Sequence, residues 1–167
     1  QVLPRVKTLG LRANHVSGLR LQEAKVPQTA VISKVGHGLE LALRAFQITR
    51  TLAPAMALGG VDTALRTTLS FATSRHLYGD TVWQIPHAQR TLTQAFVDLL
   101  VCDCVSTTAV RALHTATNQM SHWSCVSKAF VTDWSQRILK NISTILGARY
   151  YLREEHQAGI FQKIVRD

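Results

Sequence analysis

The chain has 167 residues, of which 46% are hydrophobic and 17% charged, a composition that indicates a packed globular domain and excludes a disordered segment. No apolar run reaches the roughly 18 residues of a membrane-spanning helix, and residues 1–25 contain no secretory signal sequence. The net charge of +9 fits a polyphosphate ligand or a nucleic acid, but no two Lys or Arg residues are adjacent, so we expect no nucleic-acid partner.

Residues 1–33 show the pattern of short extended segments. Apolar and polar residues alternate in LRLQEAKVP (19–27), and the turn-like NHVSG (14–18) precedes this stretch. Pro27 ends it. We therefore predict a short β remnant of the size of a hairpin.

The next segment has the apolar period of a long helix. From Leu39 onward, apolar residues recur at intervals of three and four positions, which predicts a helix over about 36–78. Pro54 lies inside this helix and is expected to kink it, because proline removes a backbone donor. Gly79 is predicted to end it.

Three further helices are predicted from the same period. Pro86 suits the first turn of the second helix, Ser121 can cap the third, and Gly147 stops the third. Their approximate bounds are 86–114, 121–147 and 159–167. Long amphipathic helices with short links predict a mainly α, up-down four-helix-bundle-type domain over 34–167. Its fourth helix is either the one near Gly159 or one from another subunit.

The three cysteines indicate the compartment in which the protein works. They are odd in number and lack the spacing of a disulfide framework, so we expect a reducing, cytoplasmic environment. Cys102 and Cys104 lie two positions apart on a predicted helix, where side chains diverge, and we expect no metal site. The chain begins with Gln rather than Met, and we interpret it as part of a longer protein.

An ordered set of short motifs carries more information than any single one. The chain contains no P-loop, HExxH, G-x-S-x-G or G-x-G-x-x-G motif. The motifs present, in order, are GLR (10–12), a segment ending in VP (26–27), SRHLYG (74–79), IPHAQ (85–89), ILGARYY (145–151) and a final RD. This order and spacing resemble the C-terminal half of the acyl-CoA dehydrogenase family.

The resemblance implies an FAD-dependent oxidoreductase of lipid metabolism. Such an enzyme dehydrogenates the α,β carbons of an acyl-CoA or acyl-carrier thioester by α-proton abstraction and β-hydride transfer to flavin. Its electrons pass to an electron-transfer flavoprotein or to oxygen. The resemblance further implies that residues 1–33 end the middle β domain, that 34–167 form the C-terminal helical bundle, and that bundles associate into a homodimer or homotetramer.

The resemblance assigns four residues to FAD binding. Arg75 matches the family arginine that contacts the diphosphate of FAD held mainly by a neighbouring subunit, a role that suits a permanently charged guanidinium. Tyr78 matches the aromatic residue beside the adenine half. Gln89 matches a glutamine that hydrogen-bonds the cofactor, and Gly147 matches the first glycine of a pair that lets phosphate approach.

Each assignment has a purely structural alternative. Arg75 could be a last-turn cation favoured by the helix dipole, Tyr78 a core residue, Gln89 a solvated polar residue and Gly147 a helix cap. The chain also departs from the family pattern, since Ala148 stands at the second glycine and Thr144 at a frequent glutamine.

No catalytic base is assigned within the chain. The resemblance places the carboxylate in a loop beyond Asp167. In some relatives it instead precedes the residue matched by Arg50, where this chain has Thr49, which cannot act as a base. The remaining helical carboxylates are interpreted as surface or capping groups (Glu40, Asp62) or as partners of arginines (Asp98, Asp103).

Two hypotheses of different class follow. In the first, the chain is the C-terminal part of a flavoenzyme and is inactive in isolation. In the second, it is a non-catalytic helical oligomerisation module of the same fold, which the departures at Thr49, Thr144 and Ala148 favour. A nucleic-acid-binding bundle rests only on the net charge.

Overall fold

The computed structural model describes residues 1–153 and 158–167. The predicted mainly α, bundle-type fold is confirmed. The described residues form the helices α1 (Gly38–Ser74), α2 (Pro86–Thr115), α3 (Met120–Leu146) and α4 (Gly159–Arg166), with the strands β1 (His76–Leu77) and β2 (Asp80–Thr81) between α1 and α2.

The helices α1, α2 and α3 pack on one another around one core. On α3, Val131, Ile138 and Ile142 are completely buried, because their spacing of seven and four places them on one helix face. Full burial of each such side chain contributes about 1.5–3 kcal/mol. The regular apolar period therefore specifies which face of each long helix enters the core.

The first part of α1 lies outside this core. None of residues 38–50 is buried, and Leu39 is 73% exposed. Burial begins at Thr51, and α1 continues unbroken through the buried Pro54. Helix α1 has 37 residues and α3 has 27, so α1 is longer by about 15 Å at the usual rise per residue.

The short helix α4 takes the fourth position of the bundle and packs on α1. Its Phe161 is fully buried in the common core. Gly60 of α1 faces Ile164 closely, since an added Cβ would lie 3.2 Å from Ile164 Cγ2. Of the two sources for a fourth helix left open by the sequence, the one near Gly159 is present.

The end of α1 differs from the prediction. The helix ends at Ser74, and Arg75 is extended, with φ −83° and ψ 121°. The following residues form an antiparallel hairpin in which His76 pairs with Thr81. Tyr78 and Gly79 both have positive φ (57° and 90°), as a two-residue type I′ turn requires. Gly79 therefore closes a hairpin and not the helix, and the predicted end at 78–79 is wrong.

The other termini show smaller differences. Helix α3 begins at Met120 with Gln119 as its N-cap residue and no side-chain cap, so the predicted capping by Ser121 is wrong. Residues Gly147–Tyr151 form a 3₁₀ turn. The link between the predicted third and fourth helices includes residues 154–157, which lie outside the described residues.

Residues 1–35 contain two extended segments that pair through a few backbone hydrogen bonds but form no regular β-strand. Leu3 N–H donates to the Gly18 carbonyl, and Val6 N–H donates to the Val16 carbonyl, both at 2.8 Å. A single bridge joins Val2 to Leu19. The predicted β remnant is thus formed by residues 2–6 pairing with residues 16–19. The alternating stretch after residue 20 is exposed.

Candidate functional site

Two adjoining clefts lie where the end of α1 meets the turn after α3. The first, the basic cleft, has a volume of about 620 Å³ and is lined by Arg66, Thr67, Ser70, Phe71, Ser74, Arg75, Arg149 and Ala158. The second, the apolar cleft, has about 320 Å³ and an inner wall that includes Val82, Ala88 and Leu146. Phe71, Arg75 and Arg149 border both clefts, which therefore share one wall.

The backbone of Arg75 is held on both sides of the residue. Its N–H donates to the Phe71 carbonyl at 2.9 Å, as the last hydrogen bond of α1. Its carbonyl accepts the N–H of Val82 at 2.8 Å, at the base of the hairpin. The side chain is exposed and lines both clefts. The helix end and the hairpin thus fix the backbone of Arg75, while its charged side chain remains exposed to solvent.

Arg149 reaches the same wall from the 3₁₀ turn after α3. Gly147 begins this turn with φ 56° and ψ −139°, a conformation that favours glycine. The guanidinium carbon of Arg149 lies over the ring of Phe71, 5.2 Å from its centroid. Such a cation–π contact contributes about 0.5–1 kcal/mol at an exposed site. Sequence reasoning missed Arg149 and Phe71, because only the fold brings them together.

The arginines of the basic cleft differ in their pairing. Arg66 donates to Asp62 Oδ2 at 2.8 Å, and this hydrogen bond, with the charge of Asp62, raises the pKa of Arg66. Within the described part of the chain, neither Arg75 nor Arg149 pairs with a carboxylate. Two guanidinium groups on the shared wall therefore keep their charge available for an anion.

The predicted FAD-binding residues fall into two groups. Arg75 and Gly147 line the apolar cleft together, and so do Thr144 and Ala148, the two positions that depart from the family pattern. An added Cβ at Gly147 would meet nothing within 4 Å, so its backbone faces open space. The fold thus brings together residues from the ends of α1 and α3 that the sequence connected only through the resemblance.

Tyr78 and Gln89 line neither cleft. Tyr78 is 98% exposed at the tip of the hairpin, so the alternative that it is a core residue is wrong. Gln89 is half-buried in the first turn of α2, where its backbone N–H donates to the Ile85 carbonyl at 3.1 Å.

Of the candidate acids and bases, Asp62 contacts Arg66 of the basic cleft, and the others line neither cleft. Glu40 contacts Arg44 at 2.6 Å and His37 at 3.2 Å, and Thr49 is exposed on α1. Asp98 accepts a hydrogen bond from Gln94 Nε2 at 2.8 Å, and Asp103 is exposed. Of the described residues that line the two clefts, none is a carboxylate.

Helix α2 carries the aspartates Asp98 and Asp103 and the buried Cys102. In the described chain, neither Asp98 nor Asp103 forms an ion pair with an arginine, so the expected pairing is wrong. Burial raises the pKa of the Cys102 thiol to about 11, and the charge of Asp98 adds to this effect. Among the residues described, no group of three or more His, Cys, Asp or Glu side chains could hold a metal ion.

An apolar surface extends along the outer side of α2. Phe96, Val97, Leu100 and Val101 are each between 44% and 52% exposed. A groove of about 690 Å³ runs between this surface and α1, with Asp62, Asp103 and Arg111 among its lining residues. Within the described ranges, no helix has the length and apolarity to cross a membrane.

Comparison with known proteins identifies the family of the fold. Residues 36–167 match the family model described as acyl-CoA dehydrogenase, C-terminal domain. The probable acyl-CoA dehydrogenase FadE25 of Mycobacterium tuberculosis is 20% identical over 148 residues, which are 89% of this chain and 38% of that protein. The resemblance predicted from the ordered motifs is thereby confirmed.

Solved structures agree with this assignment at the level of the fold. Butyryl-CoA dehydrogenase from Megasphaera elsdenii matches 98% of this chain and 43% of its own, with a TM-score of 0.89 and 17% identity. A nitroalkane oxidase matches 99% of this chain and 40% of its own, with a TM-score of 0.87 and 19% identity. The chain therefore spans about two fifths of the length of these relatives, and the shared fold occurs with different substrates.

Proposed function

The chain belongs to the acyl-CoA dehydrogenase family, and we propose that it is the C-terminal part of an FAD-dependent dehydrogenase that oxidises the α,β carbons of an acyl thioester. The observation that carries this proposal is the joint position of Arg75 and Gly147 on one cleft. Residues 1–33 would be the end of the preceding β domain, as the sequence predicts.

The chemistry of the two clefts fits a dinucleotide. A diphosphate needs fixed cations, which Arg75 and Arg149 would supply, and a close backbone, which Gly147 would supply. The apolar cleft would receive a flat apolar group, since its wall includes the buried Val82, Ala88 and Leu146. Tyr78 is fully exposed at the hairpin tip, where its ring could contact an adenine bound by a neighbouring subunit.

FAD would supply the hydride acceptor for the β-hydrogen. The role of this chain would be to bind and orient the diphosphate half of the cofactor, with Arg75 as its principal cation. We keep the predicted position of the catalytic base beyond Asp167 and the prediction that the isolated chain is inactive. Measurable oxidation of an acyl-CoA by the isolated chain would contradict this part of the proposal.

Self-association fits the exposed apolar surfaces. The outer side of α2 and the first turns of α1 expose Phe96, Leu100 and Leu39, and exposed apolar patches commonly mark interaction sites. We propose that bundles pair through these surfaces into a homodimer or homotetramer. The electron acceptor would be an electron-transfer flavoprotein or oxygen, and the thioester would be carried by CoA or by a carrier protein.

The test is the FAD content of the full-length protein that carries this chain. An Arg75→Gln variant should retain less FAD after gel filtration, because a charged hydrogen-bonding partner of the diphosphate is lost. Its Kd for FAD should be higher by about tenfold or more. Arg137→Gln is the matched control, since Arg137 is an exposed arginine on α3, outside both clefts. Equal FAD retention by the two variants would contradict the proposal.

Other observations favour a second candidate function. The apolar surfaces on α1 and α2, with the departures at Thr49, Thr144 and Ala148, favour a non-catalytic helical oligomerisation module. That hypothesis predicts a full-length protein that self-associates but shows no flavin absorbance, even after reconstitution with FAD. A yellow preparation with stoichiometric FAD would exclude it.

A further inference from the structure

We infer that Arg149 is a second phosphate-binding residue, which holds a diphosphate jointly with Arg75 on the wall shared by the two clefts. This inference rests on the proposed function, because it assumes that an FAD diphosphate is the ligand of this wall. It adds a residue that neither the motif order nor the predicted FAD contacts identified.

The position of Arg149 is fixed by contacts that leave its hydrogen-bond donors available. Its guanidinium lies over the Phe71 ring, and attraction to an aromatic face does not consume N–H donors. Phe71 lies one helical turn before Arg75 and accepts the Arg75 backbone N–H. Phe71 thus positions both arginines, Arg149 through its ring and Arg75 through its backbone carbonyl. Arg75 and Arg149 each line both clefts.

Among the described residues, no acidic side chain neutralises the charge of Arg149. Three other helical arginines each have a carboxylate partner four residues earlier in the chain, namely Arg44, Arg66 and Arg137. Arg149 has no ion-pair partner in the described chain. An unpaired guanidinium on a concave surface can bind phosphate through two parallel hydrogen bonds.

Of the three described hydroxyl residues that line the basic cleft, Thr67 and Ser74 donate within α1, whereas the Ser70 hydroxyl does not. Thr67 Oγ1 donates to the Thr63 carbonyl at 2.8 Å. Ser74 Oγ donates to the Ser70 carbonyl at 2.8 Å. With these two protons already used inside α1, the arginines are the charged donors that remain for an anion, beside the neutral Ser70 hydroxyl.

Arg149 also stands next to the two departures from the family pattern. Thr144 and Ala148 border the apolar cleft, at the positions where the resemblance implies a glutamine and a second glycine. The turn that begins at Gly147 carries the chain through Ala148 to Arg149. The cation therefore enters the cleft from the segment that departs from the family pattern, and it supplies a charged donor there.

The experiment measures FAD affinity in the full-length protein after removal of bound FAD. Variants Arg149→Gln and Arg75→Gln are compared with the unsubstituted protein, with Kd from flavin fluorescence and with inorganic pyrophosphate as competitor. We expect Arg149→Gln to weaken FAD binding by about ten- to a hundredfold, the usual effect of removing a hydrogen bond to a charged group. Pyrophosphate should compete less well against FAD in this variant.

Arg137→Gln is a closely matched control. Arg137 also forms a cation–π contact, 5.1 Å from the Trp134 centroid, but it lines neither cleft. The change removes the same charge and the same type of ring contact, so it should leave FAD and pyrophosphate binding unchanged. If Arg149→Gln does not fold by circular dichroism, Arg149→Met decides, because it keeps an apolar group on Phe71 without the charge.

The outcomes separate the two proposals. If Arg149→Gln or its replacement binds FAD like Arg137→Gln while Arg75→Gln binds weakly, the inference is overturned and the proposed function stands. If neither cleft variant weakens binding, both are overturned. Weak binding by both cleft variants, with reduced pyrophosphate competition, supports the inference.

Discussion

The backbone N–H of Leu11 donates a 2.8 Å hydrogen bond to Oδ1 of Asp167, across 156 positions of the chain. The preceding Gly10 lies so close to the end of α4 that an added Cβ would overlap the Arg166 carbonyl oxygen. The motif at 10–12 and the final Arg-Asp, which are separate signals in the sequence, therefore form one contact. Through it the N-terminal segment is attached to the bundle.

Gly10→Ala should destabilise the chain because the new methyl group cannot be placed without moving backbone. We expect a loss of about 1–3 kcal/mol in the free energy of unfolding, as for other overpacked sites, and faster hydrogen exchange at the Leu11 amide. Gly59→Ala is the control, since Gly59 is exposed inside α1 with nothing within 4 Å of an added Cβ. That change should raise stability by about 0.5–1 kcal/mol. Equal effects of the two changes in urea denaturation would contradict the prediction.

Tyr78→Asn should separate stability from function at the hairpin tip. Tyr78 has φ 57° and is 98% exposed. Asparagine tolerates this left-handed conformation better and is preferred in type I′ turns. We expect thermal stability to be unchanged or higher, while FAD retention by the full-length protein falls because the proposed adenine contact is lost. A variant that binds FAD normally would show that the aromatic ring has no part in the site.

Gly147→Ala should disturb the turn that presents Arg149. At φ 56° and ψ −139° a side chain is strained, and such strain costs about 1–3 kcal/mol. Urea unfolding should therefore shift to lower denaturant concentration. The neighbouring Ala148→Gly provides the comparison, because it alters the same turn without adding a side chain. A Gly147→Ala protein at least as stable as Ala148→Gly would refute the conformational argument.

Cys102 should react much more slowly than the other two cysteines. Burial raises its thiol pKa to about 11, whereas Cys104 and Cys125 are exposed. The thiolate is the reactive form, so iodoacetamide at neutral pH should modify Cys104 and Cys125 and leave Cys102 intact in the folded chain. Peptide mass mapping measures this directly, and early labelling of Cys102 would be the contrary result.

The raised pKa of Cys102 should also make the free energy of unfolding depend on pH in the alkaline range. Between the ordinary thiol pKa of 9.0 and about 11, the folded chain keeps the Cys102 proton that the unfolded chain has lost. The free energy of unfolding should therefore fall as the pH rises through this window, and be unaffected by Cys102 below it. Cys102→Ala should show a shallower fall in urea denaturation over the same range. Identical slopes for both proteins would exclude this contribution.

The sequence by itself determined the helical bundle and predicted two residues of the candidate site. Apolar periods of three and four placed α2 and α3 to within a residue or two, because burial of one helix face depends on spacing alone. The ordered motifs identified the family, and within it Arg75 and Gly147, which share a cleft.

Only the tertiary structure decided how that site is built. The end of α1 depends on whether residues 76–81 pair with one another, and cross-strand hydrogen bonds leave no periodic signal in a segment so short. The contact of Arg149 with Phe71 depends on the relative positions of α1 and α3, which packing of the whole core sets. The local pattern of apolar residues specifies the helices. The packing of α1 against α3 across the core determines that Arg75 and Arg149 line the same cleft wall.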